Sequence, residues 1–391
     1  LVALAGLGAC GGSAVDPYAA ATPSVAGLAL ETSGSGEALS SSAMASAPAL
    51  DARALAAPAS CQPYEYLCNI HRTISGLNTY LHAALDPVAA LASTKPTTVT
   101  ADTKVFGPVD APASPATPVA TFRLTVKEEN PTTFHWKLEG KPIGAADAAY
   151  VLVAGGLMMR PTIEAPHRGR GTAALDLDAL FSLNPTTGIP VWKGQGQLFV
   201  GFGHAGDAKS LVYVVKSFTP DRTDPAQPPV PAAALVGYRT ASGVARVRVA
   251  SLSEFVGPRT AGAADAGDEL LLSRASWVPG AGGRAAVLVA GGDVPAYGID
   301  FFLGVSCFDA SENEAYRALY GCRSGVCALV PNAPAGYDVG SPDLCKPGTE
   351  LGVDAVSPGM GPMAELADET PEPGAPTTPE PPPLRMDDVR F

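Results

Sequence analysis

The sequence predicts a mainly β protein of the α+β class: a curved antiparallel meander, half-barrel or barrel-like, preceded by an N-terminal amphipathic helix. Three observations predict it. Apolar residues alternate with polar ones in segment after segment from about residue 120 onward. These segments follow one another at hairpin spacing, several joined by glycine-rich turns such as ASG and PGAGG, with no regular alternation with helices. A single stretch of helical period stands before them, at residues 61–92.

The helical stretch reads CQPYEYLCNIHRTISGLNTYLHAALDPVAALA. Leu67, Ile74, Leu81 and Val88 repeat every seven residues, as do Ile70, Leu77, Ala84 and Leu91, and the two series interleave into one apolar face. The flanks carry His71, Thr73, Asn78, Tyr80 and Leu85 in place of the charges of a coiled coil, so the face is expected to pack on the protein's own core. Asp86-Pro87 reads as a break and restart, with Asp86 as cap, and Gly76 suggests close approach to another backbone.

The β domain is expected over 95–353. In TFRLTVKEENPTTFHWKLEG, Phe122, Leu124 and Val126 alternate with Arg123, Thr125 and Lys127. Asn130-Pro131 turns the chain, and Phe134, Trp136 and Leu138 then alternate with His135, Lys137 and Glu139, which makes a hairpin with one apolar and one wet face. Further strands are predicted in AAYVLVAGG, GTAALDLDAL, GQGQLFVGFG, SLVYVVKSF, ALVGYRT, VARVRVAS, ELLLSRASWV, RAAVLVAGG and GIDFFLGVSC. Gly194, Gly196, Gly201 and Gly203 suggest bulges or strong coiling. The end, 354–391, is Pro-rich and acidic and is expected to be an unstructured tail.

The chain opens LVALAGLGACGGS, a short apolar run and then small residues and a cysteine. Leu7-Gly8-Ala9-Cys10 resembles the lipobox of bacterial lipoproteins, a leucine and two small residues before the cysteine. The resemblance implies that residues 1–9 are a signal-peptide remnant and that Cys10 is lipidated with a thioether-linked diacylglycerol. It also implies a location in the bacterial cell envelope, lipid-anchored at the outer membrane on its periplasmic or surface face. From there to residue 60 the chain is Ala, Ser, Gly, Pro and Thr with scattered charge, so 10–60 is expected to be a lipidated cysteine followed by a disordered linker.

There are seven cysteines, and assigning Cys10 to lipid leaves an even set: Cys61, Cys68, Cys307, Cys322, Cys327 and Cys345, all disulfide candidates in an oxidising compartment. On a continuous helix Cys61 and Cys68 would stand about 10.5 Å apart, beyond the reach of a bridge. Either they join distant partners, or they close a small loop and the helix starts at Asn69 as N-cap. Cys322 and Cys327 in GCRSGVC fit a closed turn.

Net charge is −12, which argues against nucleic acid as a partner. No stretch is long and apolar enough for a membrane-spanning helix. Neither a G-x-S-x-G elbow nor a phosphate-binding loop occurs, and Cys and His lack zinc-finger spacing. His71 and His82 stand about 16 Å apart along the helix, and His204 in GFGHAGD reads as a turn residue. Asp176 is expected to face solvent, with Asp178 capping a short helix over 179–183. DAGDE, at 265–269, lacks the pattern of a calcium loop. No catalytic residue, metal ligand or cofactor is assigned.

The expected function is therefore non-catalytic binding, with the membrane as partner through the anchor. An apolar ligand held between helix and sheet is one form of it, and the architecture resembles periplasmic lipid and lipoprotein carriers in outline. A surface or assembly module binding an envelope protein or polysaccharide is the second form. An enzyme would need convergence among Asp176, Asp178, His204, Asp300 and Asp309.

Overall fold

Helix α3, Tyr66–Ala92, is the axis about which the rest is organised. The computed structural model describes residues 16–28, 66–114, 117–160, 169–185, 190–205, 208–224, 230–239, 245–253, 264–278, 282–309, 313–324, 326–330 and 339–340. Ile70, Ile74, Leu77, Leu81, Ala84, Val88 and Leu91 are all buried, as their spacing requires. The buried face is wider than that stripe, because Tyr80 and Leu85 on its flank are buried too.

The helix departs from expectation at three points. It already includes Tyr66, so Asn69 lies inside it and is not the cap, and Cys68 falls within it. It runs unbroken through Asp86 and Pro87. Asp86 pairs back one turn with His82 at 3.3 Å instead of capping a new helix. Gly76 is exposed, and a side chain there would meet nothing within 4 Å, so no close approach explains it.

The strands follow in chain order. They are β1 Pro96–Val99, β2 Thr103–Ser114, β3 Thr117–Asn130, β4 Thr133–Pro142, β5 Val151–Met159, β6 Arg170–Asp176, β7 Gln195–Ala205, β8 Ala208–Thr219, β9 Val230–Arg239, β10 Ala245–Ser253, β11 Glu269–Val278, β12 Gly282–Gly291, β13 Phe301–Phe308, β14 Glu314–Arg323, β15 Val326–Leu329 and β16 Val339–Gly340. From β1 to β15 each pairs antiparallel with its neighbours in sequence, and β16 lies against β14. Among the described residues no pairing joins β1 to β15, so the meander is open.

Its curvature follows from what the helix touches. Tyr66 lies against Gly304 in β13, and His71 against Trp277 in β11. Tyr80 packs edge-on to Phe218 in β8, and Leu91 lies against Gly107 in β2. In a flat sheet β2 and β13 would stand about 53 Å apart, eleven strand spacings of roughly 4.8 Å. The helix rises only about 38 Å between Tyr66 and Leu91. The sheet therefore wraps α3 on its concave face.

That face is filled. Trp136, Phe122, Phe106, Phe134, Phe202, Tyr213 and Trp277 are all at most 2 % exposed and join the helix in one apolar cluster. The predicted hairpin of β3 and β4 is present, with Leu124 opposite Leu138 and Val126 opposite Trp136. Gly196 has φ of +89° where the β7–β8 register slips between Gln195 and Gln197, so one of the predicted bulges is present. A second apolar cluster unites Leu303, Val305, Tyr316, Ala318 and Tyr320 of β13 and β14.

The expected linker over 10–60 fails in part. Helices α1, Pro17–Ala20, and α2, Val25–Leu28, pack against the body. Tyr18, Ala21 and Leu28 are buried in the main cluster, and Tyr213 donates from its hydroxyl to the Leu28 carbonyl. A stretch rich in Ala and Ser still carries Tyr18 and Leu28, and both side chains are buried against the body.

Cys322 and Cys327 are joined across β14 and β15, and Cys307 is also disulfide-bonded. Cys10, Cys61, Cys345 and the tail 354–391 lie outside the described residues.

Candidate functional site

The outer face of β2, β3 and β4 carries an open groove of about 440 Å³. Register builds it. Thr103 stands opposite Lys127, Val105 opposite Thr125, Thr125 opposite Lys137, and Arg123 opposite Glu139. Because side chains alternate along a strand, these residues share one face while Phe122, Leu124 and Val126 occupy the other. Asp102 stands at the rim.

The charges hold one another in place. Arg123 donates to both carboxylate oxygens of Glu139, Nε at 3.0 Å and Nη2 at 3.2 Å, and Lys137 Nζ lies 3.6 Å from the same carboxylate. The bond to Glu139 raises the Arg123 pKa above its usual value. The Arg123 guanidinium lies 4.0 Å from the centroid of the Tyr150 ring, and Lys141 Nζ lies 4.9 Å from the same centroid. Burial raises the Tyr150 pKa. Lys141 bonds Asp147 at 2.8 Å and holds that carboxyl below the usual range. Hydrogen bonds from Thr103 and Thr100 lower the pKa of Asp102 likewise. The carboxylates of Asp102, Glu139 and Asp147 are each tied to a donor.

The acidic candidates do not converge. Asp176 ends β6 and caps helix α4, Leu177–Leu183, accepting from Ala179 N at 2.9 Å. Asp178, expected as that cap, lies inside the first turn and pairs with Arg222 at 2.7 Å. The cap falls two residues earlier because the helix starts at Leu177. His204 belongs to β7, where the sequence suggests a turn, with Nδ1 3.2 Å from the Gly169 carbonyl oxygen. In the β6–β7 register His204 lies beyond the Arg170–Gly203 pair and Asp176 opposite Gln197, so they occupy opposite ends of the ladder. Asp300 and Asp309 flank β13 at its two ends; Asp300 accepts from Ser324 N and Asp309 from Asn313 N. Each carboxylate has a local structural bond.

Among the described residues no three His, Cys, Asp or Glu side chains gather where they could hold a metal ion. No helix among them is long and apolar enough to cross a membrane. The groove itself was legible only as the wet face of a hairpin; the register that sets β2 beside it is what turns that face into a site. No protein-family model matches the chain, and no curated protein or solved structure matches it either.

Proposed function

We propose that this protein is a lipid-anchored, non-catalytic binding module of the bacterial cell envelope, and that its ligand is a polar polymer, an envelope polysaccharide, bound along the outer face of β2–β4. The observation that carries this reading is the filled concave face. A carrier of apolar molecules needs space between helix and sheet, and there Trp136 is 0 % and Phe122 1 % exposed beneath α3. The groove on the outer face is lined by the hydroxyls of Thr103 and Thr125 and by the cations Arg123, Lys127 and Lys137, which outnumber the carboxylates of Asp102 and Glu139. Such a lining suits a hydroxyl-rich chain bearing negative charge. The lipobox-like order at Leu7–Cys10 supports the anchor.

Co-sedimentation with purified peptidoglycan sacculi tests the reading. The wild-type chain is expected to sediment with the polymer, and the Lys127→Glu/Lys137→Glu variant at least threefold less. Wild-type sedimentation no greater than that of an unrelated acidic protein refutes it.

A further inference from the structure

Residues 16–28 decide how an anchored molecule would stand. Asp16 Oδ2 lies 2.8 Å from Lys104 Nζ, at the start of β2. The Pro17 carbonyl accepts from Arg160 Nη1 at 2.6 Å, and Arg160, 3 % exposed, also donates from its backbone to Thr132 O. Tyr18 stands edge-on to Phe134, centroids 5.6 Å apart, with Lys104 Nζ 4.6 Å from its own ring centroid. Four contacts thus fix the strap to one end of β2–β5. That end carries the exposed turns at 100–102 and 129–132.

From Cys10 to Asp16 is six residues, which span at most about 22 Å even when extended. The opposite end of β4 is about 33 Å further along the strand. We propose that the bilayer faces the sheet end bearing the turns at 100–102 and 129–132, with the turn at 143–149 pointing away from it. The proposal rests on the lipid-anchored reading above and adds the orientation. The facing turns carry Asp102 and Glu129, so acyl chains and not surface charge hold the molecule there.

The test uses the full lipidated chain in phosphatidylcholine vesicles containing a headgroup-labelled acceptor lipid. A donor fluorophore is introduced as a non-natural amino acid at exposed Ala101 or at exposed Ala146. Energy transfer from position 101 is expected to be at least threefold that from position 146. Equal or reversed transfer, with diacylglycerol present on Cys10 by mass spectrometry, overturns the orientation and leaves the anchor standing. A free thiol on Cys10 in protein from its native cells overturns both. In an Asp16→Ala/Tyr18→Ala variant that keeps its lipid and its circular dichroism, the two efficiencies are expected to converge; an unchanged ratio overturns the role of the strap.

Discussion

His71 of α3 and Trp277 of β11 meet edge to face, ring centroids 5.5 Å apart and planes at 65°. The contact ties the first half of the helix to the far part of the sheet, and it buries an imidazole. Burial pushes the His71 pKa down to about 4 from 6.5. The folded state therefore holds the ring neutral through a range in which the unfolded chain binds a proton. Stability from this residue is fully present above pH 6.5 and is lost as pH falls from there to about 4, up to roughly 3 kcal/mol in all. Urea unfolding at pH 7.5, 6, 5 and 4 checks it: the fall across this window is expected to be much smaller in His71→Gln than in the wild type.

Gly76 occupies an exposed position in the middle of α3 with open space where a side chain would be. Alanine has the better helix propensity and narrows the unfolded ensemble. Gly76→Ala is expected to stabilise the protein by about 0.5–1 kcal/mol, read as a rise in the thermal midpoint. A loss of stability would mean that the helix bends or frays at this point.

Gly304 presents the opposite case. A methyl group on its α-carbon would overlap the hydroxyl and ring of Tyr66. Gly304→Ala is expected to cost about 1–3 kcal/mol by overpacking. Adding Tyr66→Phe should recover part of that loss, and a double-mutant cycle in urea measures how much.

Asp176 and Asp178 separate a cap from a surface pair. Asp176→Ala removes the bond to Ala179 N and is expected to cost about 1 kcal/mol, with Asp176→Ser restoring most of it. Asp178 is 54 % exposed beside Arg222, and its alanine variant should lose less than about 1 kcal/mol, falling further in high salt. Thermal melts of the three variants at two ionic strengths check both expectations.

The strands were readable where one face is dry and the other wet. Phe122, Leu124 and Val126 against Arg123, Thr125 and Lys127 set the period, and hairpin spacing put the strands in sequence order. The helix was readable in its core stripe but not in its breadth. Tyr80 and Leu85 look like flank residues until the sheet curls around to cover them, a long-range effect with no local signature. Pro87 breaks an isolated helix, yet here packing of Leu85, Val88 and Leu91 on either side of it outweighs the lost hydrogen bond. The strap at 16–28 was hidden because two four-residue helices have no periodicity to detect. The groove was half visible: Arg123, Lys127, Lys137 and Glu139 declared a polar surface, while Asp102, Thr103 and Val105 joined them only through the register of β2.

The order of the meander also governs how the molecule comes together. Successive strands can zip onto one another as the ribosome delivers them, because each pairs with the strand made just before it. The helix is made before all of them, yet Tyr66 receives its seat on Gly304 only after more than two hundred further residues. At ordinary elongation rates that is a wait of roughly 10–50 s. For that interval the apolar stripe from Ile70 to Leu91 lacks part of its cover, so the nascent chain is at its stickiest at the segment that later becomes its most sheltered.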